Sequence, residues 1–158
     1  MDMIAFIGGG NMASAIIGGL RKSGRAADSI VVIDPGAAQR SKLQAEFGVR
    51  ALAAADASLG QAAMVVWAVK PQLFDEAAAP CAAFVGQALH ISVMAGIRSD
   101  AILRATGAER IVRTMPNTPA LVGQGMTGLF ARIAVSSEDR AAVEAVLAPT
   151  GQLMWVAR

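Results

Sequence analysis

Short apolar runs and helically spaced apolar positions take turns along this chain. Ile4, Phe6 and Ile7 lie in a run suited to a buried strand. After the glycines at 8–10, Met12, Ala13, Ile16, Ile17 and Leu20 recur at helical spacing, and Gly24 closes that helix. A second strand is predicted over Ser29–Asp34, ended by Pro35 and Gly36. The next helix sets Leu43 four residues before Phe47 and stops at Gly48. A weak third strand at Gly48–Leu52 and a short helix near Asp56–Gly60 lead into AAMVVWAV, whose gapless apolar core predicts a strand buried on both faces. Pro71 starts a helix to about Ala79, interrupted by Pro80. QALHISV and ERIVRT read as strands five and six, with a helix over Ser99–Thr106 between them. MPNTPALVGQG reads as a loop and GMTGLFARIAV as a strand. Ser136 or Ser137 caps a helix through Leu147, and GQLMWVA is the last strand. Strand, loop, helix, strand in repetition predicts an α/β fold with a doubly wound, mostly parallel Rossmann-type sheet. Its first six strands are expected in the order 3-2-1-4-5-6.

Composition narrows the function classes. Apolar residues make up 54% of the 158, which excludes a disordered chain. Charged residues are 16%, against roughly 25% in a typical soluble domain. Either part of the surface is covered by another domain or subunit, or abundant alanine inflates the apolar share. The net charge is +2 and the basic residues are scattered, so no nucleic-acid surface is expected. One cysteine, Cys81, cannot make a disulfide framework, and a single histidine, His90, argues against a structural zinc site. No apolar run is long enough to cross a bilayer, and the N-terminus does not read as a secretory signal. A reducing compartment, the cytoplasm, is therefore the expected location. His90 and Cys81 both sit in apolar surroundings and read as structural residues. Nothing resembles a catalytic triad or a carboxylate pair.

Candidate chemistry clusters at strand ends. Gly8, Gly10 and Ala13 make G-x-G-x-x-A between a strand and a helix. Gly8 permits the tight turn, Gly10 lets backbone approach a diphosphate, and Ala13 keeps the helix close to the sheet. The helix N-terminus then offers amides to the anion. Asp34 ends the second strand, where an acidic side chain can hold the 2′-hydroxyl of an adenosine ribose and favour NAD. It can equally cap the turn that follows, and Arg40 and Lys42 soften its charge, so the residues themselves leave NAD and NADP open. Lys70, in AVKPQ after the core strand, either neutralises cofactor phosphate or faces solvent. Ser92, Ala95 and Gly96, in ISVMAGI, are small enough for a flat ring to lie close. Pro116 and Pro119 bracket Asn117 and Thr118 in a stiff polar run.

FIGGGNMASAIIGG (Phe6–Gly19), WAVKPQ (Trp67–Gln72), ISVMAGI (Ile91–Ile97) and RTMPNTPALVGQGMTGL (Arg113–Leu129) together resemble the Δ1-pyrroline-5-carboxylate reductase family, in its motif order and across the whole chain. The resemblance implies reduction of the C=N bond of pyrroline-5-carboxylate to L-proline, with NADP the expected cofactor and NAD possible. It places Gly8, Gly9, Gly10, Asn11 and Met12 around the pyrophosphate and Ala68, Val69, Lys70 and Pro71 along the crevice. Ser92 to Gly96, with Met115 to Thr118 including Asn117, would border the nicotinamide and the substrate. Two departures are Ala55 and Asp56, where family members commonly carry an asparagine near the ribose, and Asp34-Pro35 in place of a Ser- or Asn-containing loop. The family also has a helical C-terminal domain that forms the dimer. Residues 1–158 are therefore expected to be the cofactor-binding domain of a longer homo-oligomeric enzyme, ending near a domain boundary and catalysing little alone. A stand-alone dinucleotide-binding module, or another Rossmann oxidoreductase such as an F420-type reductase, are the rival readings.

Overall fold

A computed structural model describes residues 2–117 and 126–156. In chain order the elements are β1 (Met3–Ile7), α1 (Asn11–Lys22), β2 (Ile30–Ile33), α2 (Ala37–Phe47), β3 (Arg50–Leu52), β4 (Ala62–Trp67), α3 (Phe74–Ala78) and α4 (Ala82–Val85). They continue with β5 (Leu89–Ser92), α5 (Ser99–Thr106), β6 (Ile111–Asn117), β7 (Met126–Ala131), α6 (Ser137–Leu147) and β8 (Gln152–Trp155). The strands form one sheet in the order β3-β2-β1-β4-β5-β6-β7-β8. β1 to β6 are parallel neighbours, β7 runs antiparallel to β6, and β8 lies parallel to β7. The fold is thus the doubly wound Rossmann-type α/β sheet that the pattern predicts.

Side-chain alternation divides the core. In β1, Ile4 and Phe6 join one cluster with Ile16, Ile17 and Leu20 of α1, Leu43 of α2 and Val143 and Val146 of α6. Ala5 and Ile7 join the other, with Phe74 of α3, Val85 of α4 and Ile102 of α5. Helices therefore cover both faces, and β4 is buried continuously from Met64 to Trp67, as its gapless apolar run requires. Contact between α1 and the 3-10 turn Ala148–Thr150 is close: a Cβ on Gly19 would stand 2.2 Å from Pro149 Cβ.

Three local expectations are corrected. Met115–Asn117, read as loop, is strand: Met115 pairs with Gly128, Pro116 with Thr127 and Asn117 with Met126. β5 pairs with β6 only as far as Arg113. Pro116 therefore stands where β6 has a single neighbour, the edge-like setting in which a residue without an N–H is tolerated. The rest of the MPNTPALVGQG run, 118–125, lies outside the described residues. The helix expected from Pro71 is a 3-10 turn (Pro71–Leu73) followed by one short turn of α-helix, and α4 begins after Pro80. The short helix near Asp56 is likewise a 3-10 turn, over Ala57–Gln61, with the Asp56 carboxylate accepting from Ser58 N at 2.8 Å.

Candidate dinucleotide site

The sheet order reverses between β1 and β4, and the segments leaving both strands rise from the same edge. Ladder hydrogen bonds run one residue past the strands: Gly8 N donates to Ile33 O at 2.8 Å and Ala68 N to Ile7 O at 2.8 Å. Open α/β sheets bind ligands at such a switch point. Here a crevice of about 570 Å³ opens, lined by Gly8, Gly9 and Gly10, by Asp34 and Pro35, by Ala53–Ala55, by Ala68, Val69 and Lys70, and by Leu73, Glu76, Ala77, Pro80 and Cys81.

The glycine turn is shaped residue by residue. Gly8 has φ +99°, and a Cβ there would lie 2.6 Å from the Ala68 carbonyl oxygen. Only glycine fits both the conformation and the space. Gly9 is buried, and its Cβ would meet Leu43 Cδ1 at 2.7 Å. Gly10 differs: it is exposed, its φ is an ordinary −76°, and its Cβ position has no atom within 4 Å. That open space lies beside the N-terminus of α1, whose N-cap, Gly10 itself, has no side chain to satisfy the first-turn amides. Backbone bare on one side, with amides at hand, is what a diphosphate requires. Ala13 is buried under the sheet, while Asn11 and Met12 are exposed on the first turn.

Asp34 faces this turn. Its Oδ2 accepts from Gly9 N at 2.8 Å and its Oδ1 from Gly36 N at 2.8 Å. Gln39 Nε2 donates to Gly9 O, and Arg40 Nη1 donates to the Asp34 carbonyl at 2.8 Å. Lys70 is exposed at the start of its 3-10 turn, on the crevice rim.

The structure thus gathers Gly8, Gly9, Gly10, Asp34, Ala68, Val69 and Lys70 around one crevice. Asn11, Met12, Pro71, Ser92, Ala95 and Gly96 are not among the residues that line it. Ser92 is fully buried, and its Oγ accepts from Met94 N at 3.2 Å, so its hydroxyl is turned into the fold. Ala95 and Gly96 are exposed in the turn after β5, at the same end of the sheet. Asn117 ends β6. Sequence reasoning missed Ala53, Ala54, Leu73, Glu76, Ala77 and Pro80 as lining residues, and Gln39 as a partner of the glycine turn. The alanines had a usable signal, small residues just past the carboxyl end of β3. Gln39 carried none.

Two ionisable groups, one lining the crevice and one in the core, are held neutral. Cys81 lines the crevice, but its thiol donates to Ala77 O at 3.3 Å and burial pushes its pKa up to about 11. It is a poor nucleophile at neutral pH. His90 is fully buried. Trp67 Nε1 donates to its Nδ1 at 2.8 Å, and its Nε2 lies 2.8 Å from Val85 O. Those partners require a neutral ring with the proton on Nε2. Burial depresses its pKa to about 4.

Residues 3–96 match the family described as NADP oxidoreductase, coenzyme F420-dependent. The chain belongs to this family. Within the NADP oxidoreductase family, the relatives that match along nearly the whole chain are narrower in name. A pyrroline-5-carboxylate reductase from Haemophilus influenzae is 42% identical over 98% of this chain and 57% of its own length. The structure of a pyrroline-5-carboxylate reductase from Coxiella burnetii superposes with a TM-score of 0.89 at 32% identity, over 99% of this chain and 59% of that one. A Plasmodium falciparum pyrroline carboxylate reductase with NADP bound shares the fold at 22% identity, with a TM-score of 0.79, over 99% of this chain and 58% of that one. The chain is thus similar to pyrroline-5-carboxylate reductases along nearly its whole length, and spans a little over half the length of the relatives it matches. No described helix is long and apolar enough to cross a membrane.

Proposed function

We propose that residues 1–158 form one cofactor-binding domain for NADP(H), with NAD(H) as the second choice, in a protein that reduces the C=N bond of 1-pyrroline-5-carboxylate to L-proline. The observation that carries this reading is the bare side of Gly10 beside the amide-bearing start of α1, at the point where the sheet order reverses. The amides of Gly8 and Gly9 are already engaged within the protein. A diphosphate would accordingly be met by the amides at Gly10, Asn11 and Met12. The adenosine half would lie along Ala53–Ala55, Ala68, Val69, Lys70 and Pro71. Ser92 through its backbone, with Ala95, Gly96 and Asn117, would border the nicotinamide. The chemistry the cofactor brings is hydride transfer; this chain's own residues bind and orient. We assign no proton-transfer residue to it. As the family resemblance implies, the whole protein is proposed to be a cytoplasmic homo-oligomer that takes a small-molecule substrate and binds neither nucleic acid nor membrane.

Parallel fluorescence titrations of the chain with NADPH and NADH test the binding half of this reading. Saturable binding, tighter for NADPH, is expected; no binding of either removes the proposal. Turnover of pyrroline-5-carboxylate by the whole protein, compared with hydroxy acids, tests the substrate.

A further inference from the structure

Gly9 is held by side chains on both of its peptide groups, and both follow β2. Its N–H reaches Asp34 Oδ2 at 2.8 Å, and its carbonyl accepts from Gln39 Nε2. A trans peptide sets C=O and N–H in opposite directions. Drawing the Gly9 carbonyl toward α2 therefore aims the Gly10 N–H away from α2. Asp34 is itself fixed, by Gly36 N on Oδ1 at 2.8 Å and by Arg40 on its carbonyl at 2.8 Å. No side chain fits on the side of Gly9 that faces β2 and α2: a Cβ there would meet Leu43 Cδ1, Val32 Cγ1 and Asp34 Oδ2 within 3.2 Å. An amide accepted by a carboxylate is among the stronger hydrogen bonds a turn can make.

We propose that Asp34 and Gln39 clamp Gly9 and so preset the diphosphate-binding turn, with Asp34 acting as a positioning residue for NADH and NADPH alike. An acidic side chain at the end of the second strand would otherwise be read as the ribose ligand that selects NAD. Both oxygens of this carboxylate already hold backbone amides, one of them inside the glycine turn. Neutralising Asp34 should then loosen the turn instead of switching the cofactor. This inference rests on the cofactor-binding reading above.

The test uses the 158-residue chain with Gln39→Ala, Asp34→Ala and Asp34→Asn, titrated with NADH and NADPH. Gln39→Ala keeps helix propensity in α2 and removes only the donor to Gly9. Gln39→Ala and Asp34→Ala should each weaken both cofactors about tenfold, as expected for a lost hydrogen bond that preorders a site. The ratio of the two affinities should stay within about threefold of wild type. Asp34→Asn keeps an oxygen for the Gly9 amide and should restore most of the loss for both cofactors. A shift of that ratio toward NADPH by about tenfold or more in either Asp34 variant would overturn the clamp in favour of ribose selection. Unchanged affinities in Gln39→Ala would overturn it too. A second measurement needs no cofactor. Hydrogen exchange at the Gly9 amide should be slow in wild type and at least about tenfold faster in Asp34→Ala, with core amides unaffected. Equal exchange overturns the clamp. Wild-type protein that binds neither cofactor defeats the proposed function, while the exchange experiment still decides the clamp.

Discussion

Gly8 and Gly10 stand two residues apart in the same turn, and a side chain at each meets a different obstacle. At Gly8 it meets the Ala68 carbonyl at 2.6 Å on a backbone at φ +99°. Gly8→Ala should therefore destabilise the native state by about 3 kcal/mol, read from urea unfolding. At Gly10 it meets open space on an ordinary backbone. Gly10→Val should leave the unfolding midpoint close to wild type and abolish NADPH binding; retained affinity would refute the diphosphate assignment. His90, the sole histidine, gives a third residue-scale outcome. Its folded pKa, about 4, lies below the ordinary 6.5. Between these values the unfolded chain binds a proton that the native ring refuses. The stability this group contributes is complete above 6.5, declines as pH falls through the window, and stops changing below about 4. The loss across the window should be about 3 kcal/mol. Urea unfolding at a series of pH values checks it, with most of the slope absent in His90→Gln. At this scale the sequence was legible where backbone chemistry speaks for itself, as at Gly8. It was silent where a side chain's partner lies far along the chain: Asp34 reaches Gly9 across 25 residues and Gln39 across 30.

Element by element, α6 shows how fully a helix can be read from local chemistry. Ser136 accepts from Asp139 N at 3.1 Å, and Asp139 Oδ2 accepts from Ser136 N at 3.1 Å, a complete capping box at the expected position. Asp139 Oδ1 also pairs with Arg110 at 2.7 Å, tying the helix start to the segment before β6. Ser136→Ala should lower stability by about 1 kcal/mol, measured as a shift in urea midpoint at constant slope. The turns of α1 and α2 were equally plain: Gly48 takes the left-handed C-cap at φ 73° that ends α2. The Met115–Asn117 strand was not, because Pro116 and Asn117, with Pro119 just beyond, carry loop chemistry. Pairing with β7 overrides it, and that pairing joins residues separated by 118–125.

Over the whole molecule, ligand binding and stability are linked. A cofactor that binds only the native chain adds about 2.7 kcal/mol at a hundredfold excess over Kd. Wild type should therefore melt about 5–10 °C higher with saturating NADPH, a rise absent in Gly10→Val. Such coupling depends on a crevice built from segments after β1, β2, β3 and β4, and from the stretch that runs through α3. Short apolar runs in the strands, helical spacing between them, and glycine where no Cβ can go were enough to determine most of the elements and the place of the glycine turn. Each of those is a local property, carried by neighbours within a few residues. Tertiary structure alone decided that Ser92 turns inward, that Glu76 and Ala53–Ala55 line the crevice, and that the Asp34 carboxylate is held by Gly9. These depend on which side chains from distant segments arrive at the same point, and hydrogen-bond partners separated by tens of residues leave no periodic trace in the chain.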